Sequence, residues 1–395
     1  MRKSTIYRFF AAAALTMAPF VSGAVAPQVG SGETDGYKLV WQDLFDSDEL
    51  NPLRWEIEVN GDGGGNAELQ YYTDRESNVR LGQDDKGNGC LILTAVRENY
   101  RGKNFTSGRV NTKNRIAFKH GKIEAAIRLP KTANGLWPAF WMMGNDYDAV
   151  GWPRCGETDI MEFGHQDGIK SGFQDRYFNG ACHWGQGWPN ASYAKSTTRS
   201  YSLQDDEFHL YTLIWDEQSV AMYVDLDRIP MQMPYFKMDI PCNEPENEWS
   251  PGNYFHKENF ILFNLAVGGN FPGIHNADGI TALNAENGNQ ASMYVNYVKI
   301  YQKGTDDESN FFMDPGDKQA GVEAAVETPV LEIRIAGRTV VTGEDADIEV
   351  YDLAGNAVVS ARGVCALGLE ALPAGLYIVR AVTAYGASAA TKIVL

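Results

Sequence analysis

The sequence predicts an all-β protein, a large antiparallel β-jelly-roll sandwich followed by a small C-terminal immunoglobulin-like β-sandwich. Three observations predict it. Residues 37–302 consist of short, alternating, aromatic-rich segments broken by Gly, Asn, Asp and Pro; residues 121–129, 209–215, 221–225, 260–267 and 294–301 are examples. Many short strands with regular turn signals indicate a sandwich or barrel. The 40 glycines and 12% aromatic content suit sheets, and helical periodicity is nowhere sustained. Strand patterns also resume over residues 329–395, where some 65 residues suffice only for a small sandwich.

Taken in chain order, Arg2, Lys3 and Arg8 precede an apolar run over residues 9–21, and Ala24-Val25-Ala26 offers a small-x-small cleavage site. Residues 1–26 therefore read as a secretory signal peptide, followed by a short linker at 27–36. A retained signal anchor is the alternative. The run is too short for a stable span, and no later stretch approaches about 18 apolar residues, so no membrane span is expected. The main domain occupies 37–302. All nine tryptophans fall between Trp41 and Trp249, which locates the chemistry there. Trp41, Trp55 and Trp215 sit in alternating strand patterns and are assigned to the core. Residues 303–328 carry seven acidic side chains against two basic ones and read as a flexible acidic linker; Phe311 and Phe312 keep an ordered edge of the main domain open. The tail, 329–395, has neither Trp nor His.

Charge and cysteines exclude several classes. Lys plus Arg total 34 against 51 Asp plus Glu, net −17, which argues against nucleic acid or an anionic membrane as partner. Cys90, Cys155, Cys182, Cys242 and Cys365 are too few and irregular for a disulfide framework, although Cys155 and Cys182 could pair in an oxidising compartment. Neither C-x-x-C nor H-E-x-x-H occurs, so there is no zinc signature.

The most informative segment is Glu157-Thr158-Asp159-Ile160-Met161-Glu162. On a regular strand Glu157 and Asp159 share one face and Glu162 points the other way, where an unpaired carboxylate is costly. A β-bulge around Ile160-Met161 brings all three acids to one side. Glu157 and Glu162 are then about 13 Å apart at Cα. Converging side chains close this to the roughly 5–5.5 Å between carboxyl groups used by a retaining glycosidase. One glutamate attacks the anomeric carbon while the other protonates the leaving oxygen; Asp159 lies between them. A calcium site or a solvated acidic strand is the alternative reading of the bare pattern.

This segment resembles the catalytic signature of glycoside hydrolase family 16 in its bulged, laminarinase-like form. The resemblance extends over about 40–302 through Asn66-Ala67-Glu68-Leu69-Gln70-Tyr71-Tyr72-Thr73, Ser107-Gly108-Arg109, residues 135–144 and Asn264-Leu265-Ala266-Val267-Gly268-Gly269. It implies a jelly roll with an open, endo-acting cleft, Glu157 as nucleophile, Asp159 as its assistant and Glu162 as acid/base. It also implies sugar contacts at Asn66, Glu68, Arg109 and His183. Trp137, Trp141, Trp152 and Trp188, in or near the motif blocks, are the stacking candidates, since tryptophan faces bind pyranose C–H faces at little entropic cost. Core packing is the alternative for each. Relatives bind calcium on the convex side through two acids; here Leu44 and Asn296 stand at those places, so the site is expected to be weak or absent and no cofactor or metal is required. The segments 348–356 and 372–377 and the terminal Lys392-Ile393-Val394-Leu395 resemble a type IX secretion C-terminal sorting domain, which implies a bacterial, exported protein that engages that machinery.

The expected function is a secreted or cell-surface, monomeric, retaining endo-β-glucanase acting on β-1,3 or mixed-linkage β-1,3-1,4-glucan. A non-catalytic carbohydrate-binding jelly roll, a transglycosylase and a galactan hydrolase are the alternatives. Residues 167–179 and 238–252 are expected to shape the subsites.

Overall fold

A computed structural model describes residues 36–229, 232–241, 244–303, 311–313, 331, 333–352, 357–383 and 388–395. The signal-peptide reading over 1–26, the linker at 27–35 and Cys242 lie outside them. The chain divides into two compact units, Met1–Gly316 and Asp317–Leu395.

In the first unit the described strands form a ten-stranded and a nine-stranded sheet, the two layers of a jelly-roll sandwich. Pairing is antiparallel except between Gln70–Tyr72 and Lys103–Ser107. The five segments singled out by alternation are strands at Gly121–Arg128, His209–Trp215, Ser219–Val224, Asn259–Val267 and Gln290–Lys303. Between the sheets lies one apolar core, which includes Trp41, Trp55 and Trp215. Among the described residues helix is confined to short pieces such as Tyr147–Val150 and Gln166–Ser171.

The nine-stranded sheet positions the site. Its main path runs Ala191–Thr198, Tyr177–Trp184, Glu157–Phe163, Leu136–Gly144, Asn259–Val267, Arg109–Asn111 and Glu56–Ile57, with Ala117–Lys119 joined to Asn259–Val267, and Phe311–Met313 to Ala117–Lys119, off that path. Alternation sends Leu136, Phe140 and Met142 into the core, while Trp137, Ala139, Trp141 and Met143 line a groove on the other face. Phe178 and Cys182 alternate in the same way with Asn179, Ala181 and His183.

Two expectations are corrected. The acidic segment 303–328 is not linker throughout, because Phe311–Met313 pairs antiparallel with Ala117–Lys119 and extends the nine-stranded sheet. Two apolar residues and a methionine in an acidic stretch suffice for a three-residue edge strand. Cys155 and Cys182 are both free. Cys182 faces the inter-sheet core, whereas Cys155 packs with Met143, Phe260 and Leu262 in a separate cluster.

The second unit contains five described strands, Ile333–Ala336, Thr339–Tyr351, Ala357–Gly368, Leu376–Thr383 and Ser388–Val394, hydrogen-bonded into one network. Its core, with Val340, Ile348, Val350 and Val379, is its own. The long strand Thr339–Tyr351 pairs with Ile333–Ala336 through its first residues and with Leu376–Thr383 through its last.

Candidate active site

The acids are presented by a bulge. Phe140 pairs with Met161 but Trp141 pairs with Asp159, and on the other side Asp159 pairs with Ala181 while Glu162 pairs with Asn179. One extra residue is therefore accommodated at Ile160, and Ile160 and Met161 both enter the core. Glu157, Asp159 and Glu162 consequently all line the groove. A bulge frees backbone groups that must find partners in a dry interior. The Ile160 carbonyl finds one in the phenol of Tyr235, which donates to it. Glycines bracket the strand: at Gly164, φ +95°, a Cβ would stand 2.0 Å from the Leu136 carbonyl oxygen.

The groove has a volume of about 880 Å3. Asp159 and Glu162 are 5% and 8% exposed. Trp137 Nε1 donates to Glu162 Oε1 at 3.0 Å, and the Trp152 side chain hydrogen-bonds Glu157. His183 Nε2 stands 3.4 Å from Asp159 Oδ2.

Burial raises all three carboxyl groups, because water no longer stabilises the anions. Glu157 rises to about 8, through burial and then the neighbouring Asp159, and is pulled back by His183, Arg109 and the Trp152 hydrogen bond. Asp159 also rises to about 8, by burial. Glu162 is held well above the usual carboxylate range by burial and then by Asp159, against His183 and the Trp137 hydrogen bond. Three such groups share protons rather than ionising together.

The other candidates divide by exposure. Trp152 and Trp188, 42% and 85% exposed, are open to the groove. Trp137 and Trp141 are less available than expected of stacking platforms. Phe271 stacks on Trp137 at 4.7 Å and 9°, and the Arg109 guanidinium covers Trp141 at 4.9 Å. Arg109 Nε lies 3.0 Å from Glu58 Oε1. Glu68 is buried and accepts from Gln70 Nε2 and Tyr72 OH at 2.5 and 3.1 Å, so it supports the groove wall; burial raises its carboxyl. Asn66 lines the groove on the 60–66 loop, and its carbonyl accepts from Asn270 N at 2.8 Å, tying that loop to the 268–274 turn.

Sequence reasoning missed Glu58, Asn264 and Phe271, all groove-lining. Asn264 Oδ1 accepts from Trp141 Nε1 at 2.7 Å. It is the one polar side chain inside the apolar run Phe260–Val267, and that was a readable signal. Of residues 167–179 and 238–252, only Asn179 lines the groove. The second insertion turns elsewhere: Trp249 accepts through its carbonyl from Trp184 Nε1.

A jelly roll with three acids on the floor of an open, aromatic-edged groove has the architecture of the sandwich-fold glycoside hydrolases. The family description "Glycosyl hydrolases family 16" matches residues 67–234. The chain is 31% identical over 288 residues to a Beta-glucanase from Rhodothermus marinus, covering 69% of this chain and 89% of that one. It is 32% identical over 294 residues to Glucan endo-1,3-beta-glucosidase A1 from Niallia circulans, 68% of this chain and 38% of that one, and so spans little more than a third of that relative's length. Among solved structures, a Bacteroides ovatus mixed-linkage-glucan family 16 enzyme in complex with a product matches at 38% identity and TM-score 0.57, covering 66% of this chain and all of that one. The chain belongs to glycoside hydrolase family 16.

Proposed function

We propose that the protein is an exported endo-β-glucanase that cleaves β-1,3 or mixed-linkage β-1,3-1,4-glucan with retention of anomeric configuration. The single observation behind this reading is the bulge at Ile160, which turns Glu157, Asp159 and Glu162 onto one groove face. The groove's open course suits internal cleavage of a chain. The relatives named for glucan cleavage support the substrate class.

In the first step Glu157 attacks the anomeric carbon, the C–O bond to the aglycone breaks, and Glu162 gives its proton to the leaving oxygen. In the second, water attacks the glycosyl-enzyme, Glu162 takes its proton, and the Glu157 carboxylate leaves. The surroundings separate the roles. Three neighbours favour the Glu157 anion against one that opposes it, whereas Glu162 has two carboxylates opposing its charge. Glu157 therefore ionises first and Glu162 keeps its proton, the ordering that a nucleophile and a general acid need. Asp159 between them holds a proton that hydrogen-bonds the nucleophile, and releases it as the negative charge on Glu157 is spent.

The test is proton NMR of the first products from laminarin and lichenan. Initial β-anomer, together with loss of turnover by about 10^3-fold or more in Glu157→Gln, supports the proposal. Initial α-anomer, or unchanged hydrolysis by Glu157→Gln, overturns it.

A further inference from the structure

Asp159 Oδ2 is buried and accepts no hydrogen bond, on a side chain only 5% exposed. In the same groove, on the residue that lies opposite Glu162 in register, the Oδ1 of Asn179, 7% exposed, is likewise without a partner. Buried oxygens in native proteins are normally satisfied, so an orphan aimed into a groove marks a place for a ligand. One donor atom each from Glu157, Asp159 and His183 lies within 4.8 Å of the others. The Asp159 Oδ2 to His183 Nε2 separation is 3.4 Å. Around a tetrahedral zinc ion, bonds of about 2.0–2.1 Å put neighbouring donors roughly 3.3–3.4 Å apart. These two atoms therefore already stand at the spacing of adjacent zinc ligands, and the Glu157 donor lies within 4.8 Å of both.

We propose that Glu157, Asp159 and His183 form a zinc-binding site on the groove floor, at which Zn2+ acts as an inhibitor. The donor set selects the ion: one imidazole with two carboxylates suits Zn2+, whereas Ca2+ takes oxygen ligands and gains nothing from His183. Three protein ligands facing an open groove leave the fourth position to water. The sequence hid this site because its donors come from two paired strands, Glu157 lying opposite His183 in register, and no short motif spans them. The bound ion ties up the Glu157 carboxylate and excludes the sugar. This inhibitory consequence rests on Glu157 being the nucleophile; the binding does not.

The test is calorimetric titration of ZnCl2 into the full, chelator-stripped chain without glucan. One saturable equivalent per chain is expected, weakened at least tenfold in His183→Ala and in Asp159→Asn, with CaCl2 giving no comparable heat. X-ray absorption on the zinc-loaded wild type keeps the test independent of variant folding. Imidazole and oxygen donors near 2.0–2.1 Å support the site, and a sulfur shell at about 2.3 Å assigns the ion to a cysteine and overturns it. No one-equivalent isotherm, equal affinity in both variants, or equal binding of Ca2+ also overturns it. A chain that binds zinc at this site yet leaves glucan intact when stripped of the ion overturns the hydrolase reading and not this one.

Discussion

At the scale of single residues, the groove acids carry opposite demands, and their surroundings answer each. The Trp137 indole donates to Glu162, a bond that favours the anion. Trp137→Phe therefore raises the Glu162 pKa further, and the alkaline limb of kcat/KM, which follows loss of the acid's proton, moves to higher pH. A limb that stays or moves down contradicts the assignment of Glu162. The same burial costs stability. The folded values of Glu157 and Glu162 lie above the unfolded 4.5, so the native state keeps protons that the unfolded chain releases. The cost is absent below the unfolded pKa and grows as pH rises towards the folded one. Glu162→Gln is accordingly expected to raise Tm over wild type by a margin that widens from about pH 4 to pH 8. A pH-independent margin would falsify the linkage. The three acids were legible because a lone E-x-D-x-x-E in an apolar strand makes physical sense only with a bulge. Phe271 and Glu58 were not, since loop closure and strand register bring them to the groove and nothing local encodes either.

At the scale of elements, the bulge is the device on which the site depends, and Tyr235 completes it. Tyr235→Phe strands the Ile160 carbonyl in the core. The loss of one buried hydrogen bond with its acceptor left unpaired costs about 1–3 kcal/mol. Denaturant titration is expected to show that loss, with kcat falling more than KM changes, because Glu162 is no longer held on the groove face. A variant as stable as wild type shows the bond to be dispensable. The strand assignments were legible to within a few residues wherever alternation was clean, as at His209–Trp215, which appears with the predicted bounds. Phe311–Met313 was less legible, because three residues carry too short a pattern to outweigh the acidic composition around them.

At the scale of the whole molecule, two units with separate cores imply separable roles. A chain ending at Gly316 is expected to hydrolyse glucan within about twofold of full length. One ending at Lys303 loses the strand that pairs with Ala117–Lys119 and is expected to melt lower than the Gly316 form. Equal melting of the two truncations contradicts a structural role for that strand. The excess of acidic over basic residues that sets aside polyanionic partners is compatible with a neutral glucan as the ligand of the groove. Export of this protein, and a role of its second unit in that export, are proposals that follow from the N-terminal run and the tail sequence.

The most direct measurement of the central claim is covalent trapping. A 2-deoxy-2-fluoro β-gluco-oligosaccharide with a good leaving group forms the glycosyl-enzyme and slows its hydrolysis, and peptide mass mapping then locates the label. The proposed double displacement predicts one glycosyl adduct per chain, on Glu157, in the peptide that also contains Asp159 and Glu162. An adduct on Glu162 or on any other residue, or inactivation without an adduct, contradicts it.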